Sequence, residues 1–216
     1  MDSDSNYLLV AAIDFGTTYS GYCFSTRSDF RRDPLCISIN QAWNAAGSRR
    51  LCSMKTKTCL LLDSDKNFVA FGYDAEDKFA EFALDNKHGD FYYFEHFKMS
   101  LHNKPNLSVD LILEDIQGKP LKALNVFSSS IKAIKDHLLR QIEKQGADIN
   151  ENEIRWVLTV PAVWTDKAKH FMRKCAEEAG IKKLLIALEP EAASVFCKYM
   201  PVEKGETSFE SFGPGT

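Results

Sequence analysis

Residues 154–199 read IRWVLTVPAVWTDKAKHFMRKCAEEAGIKKLLIALEPEAASVFCKY. Two short apolar runs in this stretch, 154–160 and 184–188, are typical of buried strands, and apolar residues recur at helical spacing between them. Thr165 is a suitable N-cap for that helix, and Gly180 is a suitable residue to follow its last turn. This strand–helix–strand order predicts an α/β fold with parallel strands.

The segments on either side extend the same order. Upstream, apolar residues at steps of three and four predict an amphipathic helix, namely Phe127, Ile131, Ile134, Leu138 and Ile142. Downstream, Pro190 is well placed in the first turn of a helix that runs to about residue 199. We therefore expect a sheet with flanking helices.

The beginning of the chain predicts a pair of antiparallel strands. Residues 7–15 are mostly apolar and end at Gly16, while residues 20–25 alternate in polarity as a returning strand does. Residues 16–19 then form the turn between them, and residues 36–39 are a candidate third strand. Parallel and antiparallel strands together predict a mixed sheet.

The middle of the chain has a weaker and more aromatic pattern. We expect a short strand at 67–71, a helix at 72–86 and a strand pair around residues 117–118. Residues 91–101 carry Phe91, Phe94, Phe97 and Leu101 at helical spacing, which predicts a second helix there.

Composition excludes several classes of protein. A chain of 216 residues with 44% apolar and 26% charged residues can bury a core, so it is not a disordered linker. A formal charge of −3 argues against general nucleic-acid binding, which requires a basic surface. We see neither a secretory leader nor a membrane span, and the six cysteines include no C-x-x-C pair. These features predict a cytoplasmic protein with buried, reduced thiols.

Three polar segments come directly after predicted strands. They are DFGTTY at 14–19, TVPA at 159–162 and LEPEAA at 188–193. Open α/β sheets bind their ligands at the carboxyl ends of strands, so each segment is a candidate for function. Each also has a structural explanation: a plain Gly-Thr turn, a strand stopped by proline, and an acidic start to a helix.

Two carboxylates in these segments suit phosphoryl chemistry. Backbone N–H groups of a tight Gly-Thr turn can bind phosphate oxygens, and Asp14 beside it can supply an oxygen for hydrated Mg²⁺. Glu189 follows another strand and can reach the same crevice. If Asp14 and Glu189 share one cleft, they can hold a metal and orient a water for phosphoryl transfer.

In their order and spacing along the chain, the three segments resemble motifs of the DnaK-type seventy-kilodalton heat-shock protein family. Residues 14–20 resemble its first phosphate loop, and residues 159–162 and 189–193 resemble its later V-P-A and E-P-x-A-A segments. FEHFKM at 94–99 and the Val-Trp pair at 163–164 indicate a divergent branch of that family. The resemblance covers about residues 7–200.

The resemblance implies a role for each matching residue. Asp14 would hold the water shell of Mg²⁺, and the β- and γ-phosphates of ATP would contact the four residues Gly16, Thr17, Thr18 and Tyr19. Glu189 would lie near the attacking water, and Pro161 would transmit the nucleotide state to the rest of the protein.

The resemblance also implies the domain organisation. The fold would be the first lobe of an actin-like ATPase, with residues 1–51 and 123–200 as its core subdomain and 52–122 as a smaller inserted α+β subdomain. Residues 201–216 would be a flexible tail that leads to a second lobe not contained in this chain.

Two departures from the family limit these expectations. Lys98 comes one position later than the family's phosphate-binding lysine, so it is either a replacement for that lysine or a solvated surface residue. No D-x-G-G-G-T second phosphate loop follows Glu189, so we expect the chain alone to be catalytically incomplete.

The leading hypothesis is the amino-terminal half of an ATP-binding domain in a chaperone-like protein, with protein clients or co-chaperones as further partners. A non-catalytic protein-interaction module that keeps the lobe fold is the main alternative. A sugar or acetate kinase of the same superfamily is a weaker one, because no segment is suited to reading a sugar.

Overall fold

The computed structural model describes residues 7–39, 43–44, 52–102, 107–146 and 149–199, and the predicted tail at 201–216 lies outside them. The strands are β1 (Leu9–Phe15), β2 (Tyr19–Thr26), β3 (Ser38–Ile39), β4 (Trp43–Asn44), β5 (Cys52–Ser53), β6 (Thr56–Lys57), β7 (Cys59–Leu62), β8 (Phe68–Phe71), β9 (Tyr92–Glu95), β10 (Ile112–Glu114), β11 (Pro120–Lys122), β12 (Ile154–Val160) and β13 (Leu184–Leu188). The α-helices are α1 (Arg27–Arg32), α2 (Tyr73–Leu84), α3 (Ala123–Lys144), α4 (Asp166–Glu178) and α5 (Glu189–Tyr199). Short 3₁₀ helices cover His88–Asp90, Phe97–Leu101 and Glu151–Glu153.

The main sheet is mixed, as predicted. Its strand order is β13-β12-β1-β2-β3, and β6 also pairs with β2. β12 runs parallel to both β1 and β13, whereas β2 is antiparallel to β1. The predicted fold class, an α/β lobe with a mixed sheet and flanking helices, is confirmed.

One face of this sheet makes the core of the molecule. Alternate residues of β12 are buried, and α3 and α4 lie over them. The opposite face is more open, since Val10 of β1 and Leu185 of β13 are exposed. The alternation explains why β12 reads as apolar yet carries Arg155 and Thr159 on its other side.

Local signals correctly predicted the ends of α4. Thr165 Oγ1 accepts a hydrogen bond of 3.3 Å from the backbone N–H of Ala168, which satisfies one free donor of the first turn. Gly180 follows the helix with φ of +86°, a left-handed conformation that glycine adopts without a steric penalty.

A second, three-stranded sheet has the order β8-β7-β9 and carries α2 on one side. Stacked ring pairs join them, with centroids 4.5 Å apart for Phe79 and Tyr93 and 4.1 Å apart for Phe82 and Phe91. Since Leu60 of β7 and Phe94 of β9 belong to the same core as the main sheet, the two sheets pack continuously. The boundaries of an inserted subdomain at 52–122 stay a prediction.

The prediction of a helix at residues 91–101 is wrong. That segment forms β9, then a left-handed residue at His96 with φ of 52°, then the 3₁₀ helix Phe97–Leu101. Aromatic residues favour strands when a partner strand is available, and β7 supplies one here. The predicted strand pair around residues 117–118 is present as β10 and β11.

Two further expectations concern the thiols and the membrane. Cys59 and Cys175 are buried free thiols, and burial raises the pKa of both, that of Cys59 to about 11, which disfavours the reactive thiolate form. Cys197 is exposed, contrary to the expectation that the thiols are buried. Within the described ranges, no helix combines the length and the apolar character needed to cross a membrane.

A half-buried histidine lies where α3 meets β2. His137 Nδ1 and the Tyr22 hydroxyl are 2.9 Å apart, and the ring of Trp43 stacks on His137 with centroids 4.1 Å apart. Burial, reinforced by the positive charges of Arg140 and Lys144, lowers the pKa of His137 from 6.5 to about 4. The folded protein therefore keeps this imidazole neutral.

This pKa shift makes stability depend on pH. The unfolded chain binds a proton at His137 near pH 6.5, whereas the folded protein binds it only near pH 4. The stability that comes from a neutral His137 is therefore fully present above pH 6.5 and is lost as the pH falls towards 4. We expect the urea midpoint to fall across this window, and to fall less in His137→Gln. His102 is exposed, so His102→Gln is the control. An equal fall of the urea midpoint with pH in the wild type and in both variants would contradict the prediction.

Candidate functional site

The candidate site lies at one edge of the main sheet, where three neighbouring parallel strands end. Asp14 of β1 is in register with Thr159 of β12, and Thr159 is in register with Ala187 of β13. The Gly-Thr turn, Pro161 and Glu189 follow these three strand ends. The three motifs identified in the sequence are therefore brought to the same edge.

The Gly-Thr turn is tightly closed by its own backbone. A Cβ atom on Gly16 would lie only 2.1 Å from the carbonyl oxygen of Tyr19, so only glycine fits without moving the main chain. The carbonyl of Thr18 accepts a hydrogen bond of 2.9 Å from the N–H of Thr58, just after β6. Thr18 and Tyr19 are exposed and Thr17 is half-buried, so a ligand can reach the turn from solvent.

Both carboxylate oxygens of Asp14 have partners. Lys55 Nζ donates to Oδ2 at 2.5 Å, and Thr159 Oγ1 donates to Oδ1 at 3.2 Å. The Asp14 and Lys55 side chains are 43% and 49% exposed. An ion pair as open as this one contributes only about 0–1 kcal/mol to stability, so a ligand can displace it. Burial, and to a smaller extent the negative charge of Asp14, raises the pKa of the Cys23 thiol on the next strand.

Glu189 forms the second acidic centre, with a buried partner. Lys98 Nζ donates to Glu189 Oε1 at 3.0 Å, and the side chains are 5% and 38% exposed respectively. Lys98 Nζ also lies 5.2 Å from the ring centroid of Trp164, a cation–π distance. The solvated-surface alternative for Lys98 is therefore wrong.

The reason lies in the backbone before Lys98. A shift of one position turns a side chain by about 100° on an α-helix, whereas this segment is a strand followed by a 3₁₀ helix. The left-handed turn at His96 lies between the two elements. With that change of direction, a lysine one position later still reaches Glu189.

The structure places Asp14 and Glu189 at the same edge without joining them directly. Two strand spacings separate β1 from β13, so the backbones of Asp14 and Ala187 are about 10 Å apart. Each carboxylate instead pairs with its own lysine. In the part of the chain that the structure describes, no three acidic, histidine or cysteine side chains group together as metal ligands.

This donor set still fits hydrated Mg²⁺ bound to a nucleotide. Mg²⁺ typically retains several waters and binds through one or two carboxylates together with substrate phosphates, so a lone accessible Asp14 is sufficient. Any such ion has to compete with Lys55 for Oδ2.

Pro161 lies directly after the end of β12. It has no N–H to continue the ladder, and its carbonyl accepts a hydrogen bond of 3.3 Å from Trp164 N–H. It is half-buried beside the exposed Val163. Its role as a switch stays a prediction.

Sequence reasoning did not identify Lys55 or the contact between Trp164 and Lys98. Lys55 is 41 positions from Asp14 and lies in a segment without clear periodicity. Trp164 contributed only to the family resemblance. A single sequence carries no local signal for either contact.

Comparison with known proteins identifies relatives of the chain. No family model matches it. It is 39% identical over 211 residues to human heat shock 70 kDa protein 12A and 42% identical over 202 residues to human heat shock 70 kDa protein 12B. These matches cover 91% and 90% of this chain. The chain is a homologue of heat shock 70 kDa protein 12.

The matches cover most of this chain but only part of each relative. The chain spans only 30% of the length of heat shock 70 kDa protein 12A and 28% of 12B. The resemblance to a divergent heat-shock branch is thereby confirmed.

Crystal structures of MreB5 of Spiroplasma citri with ADP and with AMPPNP are also similar, with TM-scores of 0.44 and 0.45 and sequence identities of 12% and 13%. Those matches cover 87% of this chain and 40% of MreB5.

The fit of Gly16 generates a stability prediction. Gly16→Ala should lower the free energy of unfolding by about 1–3 kcal/mol, because the added methyl group overlaps the Tyr19 carbonyl and forces the turn to shift. Denaturant unfolding measures this. The control is Gly89→Ala, where an added Cβ meets nothing within 4 Å. Equal midpoints for the two variants would contradict the described turn.

The Lys98–Glu189 pair generates a second prediction. Glu189→Ala should cost about 1–3 kcal/mol, since it leaves a buried ammonium without its acceptor. Lys98→Met should be near neutral, because an apolar side chain of similar length replaces the buried charge. Chemical denaturation of both single variants and the double variant measures the coupling. The contact is disproved if the two effects add independently.

Proposed function

We propose that the chain is the amino-terminal ATP-binding lobe of an atypical heat-shock-type, actin-like ATPase. The observation that carries this proposal is the joint position of two lysine–carboxylate pairs and the Gly-Thr turn at one edge of the sheet. Homology to heat shock 70 kDa protein 12 over about 90% of the chain supports it. The function of the whole protein, including any protein clients or co-chaperones, belongs to the same proposal.

The turn residues Gly16, Thr17, Thr18 and Tyr19 bind the β- and γ-phosphates. A tight turn can direct backbone N–H groups and small hydroxyls at an anion, which suits phosphate oxygens. The hydrogen bond from Thr58 to Thr18 keeps the turn in place while its side chains remain accessible. Asp14 holds the water shell of Mg²⁺ when the ion is present; the metal would neutralise charge on the phosphates.

Lys98 and Glu189 form the other half of the site. A lysine with 5% exposure keeps a fixed position and loses little water when an anion binds, so it suits a phosphate-binding role. Glu189 keeps that lysine oriented and, being 38% exposed, can also accept a proton or a hydrogen bond from a water. Pro161 follows β12, which lies between β1 and β13 in the sheet. It transmits the nucleotide state to the remainder of the longer protein.

Binding and hydrolysis make different demands on the lobe. Phosphoryl transfer depends on a closed site that excludes water, and Asp14 and Lys55 are close to half-exposed in this lobe. We therefore expect the chain alone to bind ATP and to hydrolyse it very slowly.

The alternative is a protein-interaction module that keeps this fold without nucleotide turnover. Exposed apolar side chains on α5, namely Val195, Phe196 and Tyr199, favour it. So does an apolar cavity of about 430 Å³ beside β1, β2 and α1. Saturable ATP binding by the isolated chain would favour the leading proposal, and turnover by a longer form of the protein would separate the two.

Calorimetric titration of the chain with Mg-ATP tests the leading proposal. We expect saturable binding to the wild type and at least about tenfold weaker binding to Lys98→Met, which loses a charged phosphate contact. Lys87→Gln is a matched control, since that lysine pairs with Asp85 on the surface and is 65% exposed. Heat equal to buffer dilution at high protein concentration would contradict the ATP-binding proposal.

A longer form of the protein tests the catalytic roles. Asp14→Asn and Glu189→Gln should each lower turnover of ATP, because they remove a metal-directed carboxylate and the group that orients the water. Circular dichroism confirms that both variants fold. Unchanged rates would show that these two roles are assigned to the wrong residues.

A further inference from the structure

Lys55 is an unexpected cation in the proposed nucleotide site. It directly precedes β6, and β6 pairs with the first residues of β2, Ser20 with Thr56 and Tyr19 with Lys57. The hydrogen bond from Thr58 to Thr18 continues this pairing to the Gly-Thr turn. The backbone of Lys55 is therefore held beside the turn that binds phosphate in the proposed function.

The path of the Lys55 side chain is also shaped by the neighbouring strand. A Cβ atom on Gly21 of β2 would lie 3.0 Å from Lys55 Cγ and 3.1 Å from the carbonyl oxygen of Met54. A larger residue at position 21 would press on this segment, so Gly21 permits the close approach. From there Lys55 Nζ reaches Asp14 Oδ2 at 2.5 Å.

This contact competes with a metal ion for Asp14. Thr159 donates to Oδ1 and Lys55 to Oδ2, so each carboxylate oxygen already accepts one hydrogen bond. A divalent cation and an ammonium group repel each other, which disfavours their binding to Oδ2 together. Direct coordination of Mg²⁺ by Oδ2 is therefore weaker while Lys55 stays in place.

The same pair is well placed to contact a ligand. Asp14 and Lys55 are close to half-exposed, and the ammonium group has three donors, of which Asp14 engages one. The remaining donors can bind a phosphate oxygen while the contact with Asp14 persists. An ammonium group in this position would bridge a carboxylate and a bound phosphate, as a hydrated metal does.

We propose that Lys55 is the resident cation of this site, which takes the place of Mg²⁺ beside Asp14 and allows the lobe to bind nucleotide without a divalent metal. This inference rests on the proposed ATP-binding function. It adds a phosphate-binding residue and a difference in metal dependence.

The first experiment compares ATP titrations of the chain in EDTA and in Mg²⁺. The wild type should bind ATP with similar affinity in both. Lys55→Gln should bind about tenfold more weakly in EDTA, the loss expected for one charged hydrogen bond, and should recover affinity in Mg²⁺. Lys87→Gln is the control and should behave like the wild type.

The second experiment uses the metal alone and no nucleotide. Electron paramagnetic resonance should detect tighter Mn²⁺ binding to Lys55→Gln than to the wild type, because Asp14 then accepts the ion without competition from an ammonium group. The double variant Lys55→Gln with Asp14→Asn should lose that binding again. Thermal melting confirms that all variants remain folded.

The outcomes separate this inference from the proposed function. A wild type that binds ATP only with Mg²⁺, or a Lys55→Gln variant that binds ATP in EDTA as tightly as the wild type, would overturn the role of Lys55 and leave ATP binding intact. Absence of a Mn²⁺ gain in Lys55→Gln would overturn its competition with metal. A chain that binds ATP under neither condition would refute the proposed function itself.

Discussion

The parallel pairing of β12 with both β1 and β13 brings the parts of the candidate site together. Parallel neighbours end at the same edge of a sheet, so the segments after the three strands have to lie side by side. The core stabilises this arrangement from one face, where alternate residues of β12 pack under α3 and α4. Because that face is buried, a shift of one residue in the strand register would turn the core residues towards solvent. The buried face therefore sets the register, and the register sets the positions of Asp14 and Glu189.

The two carboxylates at this edge are neutralised in different ways. Lys98 is buried, so it has to keep its partner Glu189, and the pair is a fixed part of the fold. Lys55 and Asp14 are near half-exposed, so their pair is weak and open to exchange. One edge of the sheet thus combines a rigid charge with an exchangeable one, an arrangement suited to an anionic ligand that arrives from solvent.

Much of the fold follows from patterns within short windows. The strands Ile154–Val160 and Leu184–Leu188 match their predicted bounds, and the period of α3 predicted its buried face. The prediction failed at 91–101, where aromatic residues at helical spacing form a strand and a 3₁₀ helix. There the partner strand β7 decides the outcome, and it lies about thirty residues away in the chain.

Local patterns predicted that strands end at or just before Asp14, Pro161 and Glu189, because strand ends are marked by neighbouring residues such as glycine and proline. Short motifs in a set order likewise indicated the relation to heat shock 70 kDa protein 12. The cations that pair with these carboxylates became apparent only in the folded molecule. Lys55 is 41 residues from Asp14, and Lys98 is 91 residues from Glu189. Contacts at such separations depend on how the sheets pack, and no local pattern of residues encodes them.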